Sequence, residues 1–130
     1  MNRRHFLASV SATAIMPMRT FAAQDALRLK AEMVTQQILP DGDGATSMLG
    51  FNGSMPGPEL RVQRGERVNI EVENGLEEGT AVHWHGIRLE NQMDGVPMLT
   101  QELIEPSDTK TYSFIPPDEG TYWYHSHYIS

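Results

Sequence analysis

From Leu27 onward, apolar residues recur at every second position in short runs, and no window holds them at helical spacing. Leu27, Leu29, Ala31 and Met33 alternate with polar neighbours, which predicts a half-buried strand. Val68, Ile70 and Val72 do the same within 67–73, and Tyr112 and Phe114 within 109–115. Residues 59–62, 82–89 and 121–126 complete the predicted strands. Turn formers separate them: Asp41-Gly42-Asp43-Gly44, Gly65, Asp94-Gly95-Val96-Pro97 and Pro116-Pro117-Asp118-Glu119-Gly120. Prolines at 56 and 58 forbid a central strand over 51–58. Asn74-Gly75 carries a strong hairpin signal, closing a pair formed by 59–62 and 67–73 around Gly65. Short strands punctuated in this way predict an all-β fold, a Greek-key β-sandwich formed as one domain without internal repeats.

The first residues stand outside this pattern. Asn2-Arg3-Arg4-His5-Phe6-Leu7 is a twin-arginine start, followed by a mildly apolar stretch to about Met18 and small residues at Ala22 and Ala23. This predicts a twin-arginine signal peptide over 1–23, a mature domain over 24–130 and a periplasmic location. The apolar stretch is too short to span a bilayer, and Pro17 and Arg19 interrupt it, so no membrane span is expected. The twin-arginine route carries proteins already folded, which suits a chain loaded with a cofactor before export.

Charge and composition narrow the chemistry. The net charge of −7 argues against nucleic acid as a partner, since phosphate recognition needs a basic face. Removing Arg3, Arg4 and Arg19 with the signal would leave the domain more acidic still. There is no cysteine, so disulfides and every thiolate-ligated metal site are excluded. A metal held by this chain must use histidine, carboxylate, methionine or backbone oxygen.

The histidines are not scattered. Of five, His5 lies in the signal, and the other four form His83-Trp84-His85 and His125-Ser126-His127. Composition alone would give about 0.2 such pairs. On a strand, residues i and i+2 face the same side with α-carbons about 6.7 Å apart, so each pair can reach one metal or two adjacent ones. Two strands so equipped can build a four-nitrogen cage, and neutral imidazole suits copper, zinc, iron and nickel. A lone histidine is usually a satisfied polar residue, but two pairs flanked by Trp84, Trp123 and Tyr124 weigh toward metal.

The run His83-Trp84-His85-Gly86, then Asp94-Gly95-Val96-Pro97 and Thr100-Gln101, closely resembles the first cupredoxin domain of the multicopper oxidases. So does Gly120-Thr121-Tyr122-Trp123-Tyr124-His125-Ser126-His127, and Phe51-Asn52-Gly53 with Pro56-Gly57-Pro58 resembles that family's upstream segment. The similarity covers about residues 49–127. It implies a laccase-like, plastocyanin-like domain that binds copper. His83 matches a ligand of the type-2 copper, and His85, His125 and His127 match ligands of the type-3 pair. In the family these three coppers form a trinuclear cluster that reduces dioxygen to water while an electron-donor substrate is oxidised. Asp94 matches an acidic residue that helps deliver protons there, although an Asp-Gly turn role explains it equally well. Trp84 and Trp123 are expected to be packing residues rather than electron carriers, and Met93 and Met98, as isolated methionines, core or surface filler rather than a soft copper site.

Three departures matter. The family's cluster takes eight histidines, four from the first domain and four from the last, and only the first four occur here. The type-1 copper that receives substrate electrons needs a cysteine, which this sequence lacks. After His127 only Tyr128, Ile129 and Ser130 follow, where family members continue through a further strand. The expectation is therefore a truncated domain lacking its last strand, inactive alone and completed by the remaining cupredoxin domains of the same polypeptide. The alternative is a self-standing copper-binding or buffering module without catalysis. A cupin-like site from His83, His85 and Glu90 would leave the second pair unexplained, and intact ligand pairs speak against a copper-free relative.

Overall fold

The computed structural model describes residues 26–40 and 42–128, so the predicted signal over 1–23 lies outside the described residues. Among the described residues six strands form: β1 (Leu27–Gln36), β2 (Thr46–Phe51), β3 (Val68–Asn74), β4 (Val82–His85), β5 (Thr109–Phe114) and β6 (Trp123–Ser126). A single 3-10 turn at Asn91–Met93 is the one helical element among the described residues, and no described helix is long and apolar enough to cross a membrane.

The strands make two sheets, ordered β2-β1-β3-β5 and β4-β6. After β3 the chain alternates between them, so each connection crosses the core, as in a Greek-key sandwich. β1 runs parallel to β3, and every other pairing is antiparallel. The first half of β1 pairs with β3 and its second half with β2, with Ala31 serving both partners. The buried phase shifts at the same place. Leu29 and Ala31 point inward, then Val34, so Met33 is exposed although simple alternation buries it.

Between the sheets lie Leu29, Val68, Ile70, Val72, Val82, Trp84, Ile104, Tyr112 and Phe114. Trp84 is a large contact from the small sheet to the large one. Its ring lies 5.3 Å from Tyr112, 5.5 Å from Phe114 and 6.0 Å from Tyr124. The Val82 N–H donates to the Tyr112 hydroxyl at 3.2 Å, tying the same strand to β5. Burying each such aliphatic or aromatic side chain is worth about 1.5–3 kcal/mol, so β4 is anchored mainly by its two inward residues.

Three expectations need correction. Residues 59–62 form no ladder. Leu60 packs on the core, while the Pro58 carbonyl accepts from the Tyr124 hydroxyl and the Gly65 N–H donates to the Pro116 carbonyl. The stretch is tied to the sandwich at Leu60 and at its two flanks and has no strand partner. β2 was not expected, because Thr46, Ser47 and Gly50 carry no apolar side chain and Met48 and Leu49 stand side by side, which hides the alternation. A Cβ at 50 would stand 2.5 Å from the Ser54 carbonyl oxygen and 2.8 Å from a Val34 methyl, so packing dictates glycine there. Asn74-Gly75, finally, is no hairpin tip. Asn74 is fully buried; its side-chain amide donates to the Glu78 and Ile104 carbonyls at 2.8 and 2.7 Å, and its Oδ1 accepts the Leu76 N–H at 2.9 Å.

Candidate metal centre

In the small sheet β4 and β6 pair with Val82 opposite Ser126, His83 opposite His125, Trp84 opposite Tyr124 and His85 opposite Trp123. The two-residue period of a strand then sorts the side chains. Trp84 and Tyr124 turn inward to the core, while His83, His85, Trp123 and His125 share the other face. His127 follows on that face just beyond β6, where its N–H donates to the Ala81 carbonyl at 3.1 Å.

The four histidines among the described residues therefore meet. The His83 ring lies 5.5 Å from His85, 5.4 Å from His125 and 5.3 Å from His127, centroid to centroid. Nitrogen atoms of His83, His85 and His125 fall within 4.8 Å of one another, close enough to surround one ion. His127 stands beside this triad rather than in it, 6.0 Å from the His125 ring. His83 is half-buried, whereas His85 and His127 are open to solvent.

Hydrogen bonds set the tautomers. His83 Nδ1 lies 2.6 Å from the Asp94 backbone oxygen. A carbonyl only accepts, so Nδ1 carries the proton and Nε2 keeps its lone pair for a metal. His125 Nδ1 faces the Ser126 carbonyl at 2.8 Å with the same result. A carbonyl or carboxylate behind a ligating imidazole is the usual support of a metal-binding histidine, fixing the ring and raising its basicity. This donor set fits copper: three convergent imidazole nitrogens, two of them with lone pairs set by backbone carbonyls.

The sequence around Asp94 explains how its carbonyl reaches β4. Gly95 has φ +78, in the region that disfavours side chains, and a Cβ there would overlap the Val82 carbonyl. Only glycine lets the 94–97 loop lie flat on β4. The Asp94 carboxylate also approaches the same imidazole, with Oδ1 3.4 Å from His83 Nδ1. Sequence reasoning singled out the Asp94 side chain, but its backbone carbonyl makes the shorter contact. Gly57 plays a comparable part below the sheet, where a Cβ would come within 2.5 Å of the Tyr124 hydroxyl.

The two tryptophans part company. Trp84 is core, as expected, but Trp123 is 57% exposed and lies against His125 and His85 with ring centroids 4.2 and 4.8 Å away. That it shares a face with His125 was implicit in the strand spacing, though its pairing opposite His85 was not. Met93 is half-buried and its sulfur accepts the Ser113 N–H at 3.4 Å, while Met98 is 80% exposed.

A two-sheet sandwich presenting paired imidazoles from antiparallel strands is a metal-binding β-domain of the cupredoxin kind. Comparison with known proteins places it further. Residues 32–130 match the family model described as multicopper oxidase, and the chain belongs to that family, whose metal is copper. It is 39% identical to Copper resistance protein A of Escherichia coli over 97% of this chain and 23% of that protein. To Laccase-1 of Botryotinia fuckeliana it is 45% identical over 75% of this chain and 18% of that one. Among solved structures, Lac15 from a marine microbial metagenome superposes with a TM-score of 0.75 at 54% identity, covering 78% of this chain and 27% of that one. The chain thus spans less than a third of the length of each.

Proposed function

We propose that this chain is the copper-binding N-terminal domain of an exported multicopper oxidase. In this reading His83 ligates the type-2 copper, and His85, His125 and His127 ligate the type-3 pair. The single observation that carries it is the convergence of every mature histidine on one face, with three ligand atoms inside 4.8 Å. When bound, the coppers supply the redox chemistry that reduces dioxygen to water with electrons from a donor substrate. The chain's own residues hold the imidazoles in place, set their tautomers and seat a carboxylate, Asp94, beside His83 as a candidate proton donor.

The remaining ligands and the type-1 copper would come from further cupredoxin domains of the same polypeptide. The small share of each relative that the chain covers supports this. Arg3-Arg4 ahead of an apolar run supports twin-arginine export to the periplasm. Replacing both arginines with lysine should then leave the product inside the cell; unimpaired export would remove that part of the reading.

The test of function is copper content and oxygen uptake of the intact gene product, with and without the double substitution His85→Ala, His127→Ala. The expected result is loss of specifically bound copper together with loss of oxygen uptake. Copper content unchanged by the double substitution would mean that the metal sits elsewhere. Copper bound in full by the wild type without oxygen uptake would favour a copper-binding module.

A further inference from the structure

Ring support differs among the clustered imidazoles. His83 has the Asp94 carbonyl behind it and His125 has the Ser126 carbonyl. His85 is exposed, and the hydrogen bond its ring makes among the described residues is to another member of the cluster, His125 Nε2, at 3.3 Å. That nitrogen is one a metal would claim, so the contact cannot orient His85 in the loaded site.

Trp123 supplies a different kind of support. It sits opposite His85 in the β4–β6 register and two residues before His125 on the same face. Its indole is stacked on His125 at 28° between planes and lies at 32° to His85, with centroids 4.2 and 4.8 Å away. The ring takes no part in the core cluster, and more than half of its surface is open. An exposed indole that packs mainly on two imidazoles has its packing role there.

We propose that Trp123 is a positioning residue, an aromatic backstop that fixes the ring planes of His85 and His125 and does for His85 what the Asp94 carbonyl does for His83. Its use in copper binding rests on the proposed function, whereas the stacking itself does not. A flat ring constrains an imidazole plane without occupying either nitrogen, so the unprotonated nitrogen stays available to a metal. Indole also limits the approach of water to the exposed side of His85.

The test compares Trp123→Ala and Trp123→Phe with wild type in the intact gene product. Competition with a chromophoric chelator reads copper affinity, and 13C-histidine NMR of the copper-free protein reads the rings, with His85→Ala assigning the His85 signal. Loss of an outer partner of a metal ligand typically weakens binding about 10–100-fold, and Trp123→Ala should fall in that range. Trp123→Phe should recover most of the loss, because it restores a flat aromatic face. The His85 and His125 ring signals should lie upfield in wild type, move downfield in the alanine variant and return in part with phenylalanine. Unmoved ring signals, or wild-type copper affinity in Trp123→Ala, would overturn the proposal. A wild type that takes up no copper but shows these ring shifts would sink the copper reading and leave the stacking role standing.

Discussion

The substitution Gly95→Ala tests the link between fold and metal centre most sharply. Three effects add at this position. The residue has φ +78, and placing an L side chain in a left-handed conformation costs about 1–2 kcal/mol. The new Cβ would overlap the Val82 carbonyl and stand 3.0 Å from the His83 α-carbon, both rigid strand backbone, so the loop must lift. Overpacking of this kind typically costs about 1–3 kcal/mol. Lifting the loop also withdraws the Asp94 oxygen, now 2.6 Å from His83 Nδ1, and frees that ring to rotate and change tautomer. The expected outcome is a stability loss of about 2–5 kcal/mol in denaturant titration. Copper affinity should fall about 10–100-fold by chelator competition. Asp94→Asn is the control. It keeps the backbone carbonyl and the loop, so copper affinity should stay near wild type. Gly95→Ala protein with wild-type stability and copper affinity would refute the claim that loop approach orients His83.

Other perturbations reach different links. Asp94→Asn should lower oxygen turnover while copper content is retained, if the carboxylate 3.4 Å from His83 donates protons; unchanged turnover would leave it a turn residue. Asn74→Ala should destabilise by about 1–3 kcal/mol in denaturant titration, because it leaves the Glu78 carbonyl and the Leu76 N–H without their partner, while the Ile104 carbonyl keeps the Thr80 N–H. Burial holds the Tyr112 hydroxyl above its ordinary pKa, partly offset by the Val82 N–H that it accepts. Its neutral form is thus favoured by folding, so its contribution is complete below about pH 10 and drains away as pH rises through the higher folded value. Thermal melts from pH 9 to 11 should show an alkaline loss of stability that is reduced in Tyr112→Phe.

Much of this was legible in the sequence because strands leave a two-residue signature. The inward runs Val68-Ile70-Val72 and Tyr112-Phe114 read directly, and both form strands of the large sheet. What escaped was set by contacts between distant residues. β2 is held by its partner β1 and by glycine at a crowded point rather than by its own alternation. Asn74 looks like a turn residue by type, but its side chain is spent on carbonyls 4 and 30 positions away. The Asp94 carbonyl could not be found from residue type at all, since any residue offers a carbonyl. Its signal was the neighbouring Gly95, whose missing Cβ permits the approach.

The metal centre is legible for a deeper reason, which is that it shares its strands with the core. In β4 the inward Val82 and Trp84 alternate with the outward His83 and His85, and in β6 the inward Tyr124 separates Trp123 from His125. Slipping β4 by one residue would put imidazole against Tyr112 and Phe114 and expose Trp84 to water, and slipping β6 would put imidazole in the place of Tyr124 against Phe51 and Trp84. The hydrophobic cost of that exchange holds the register of the imidazoles, so no contact within the cluster has to specify it. The backbone carbonyls and the Trp123 ring are left a smaller task. They choose ring planes and tautomers for side chains that the core has already delivered to one face.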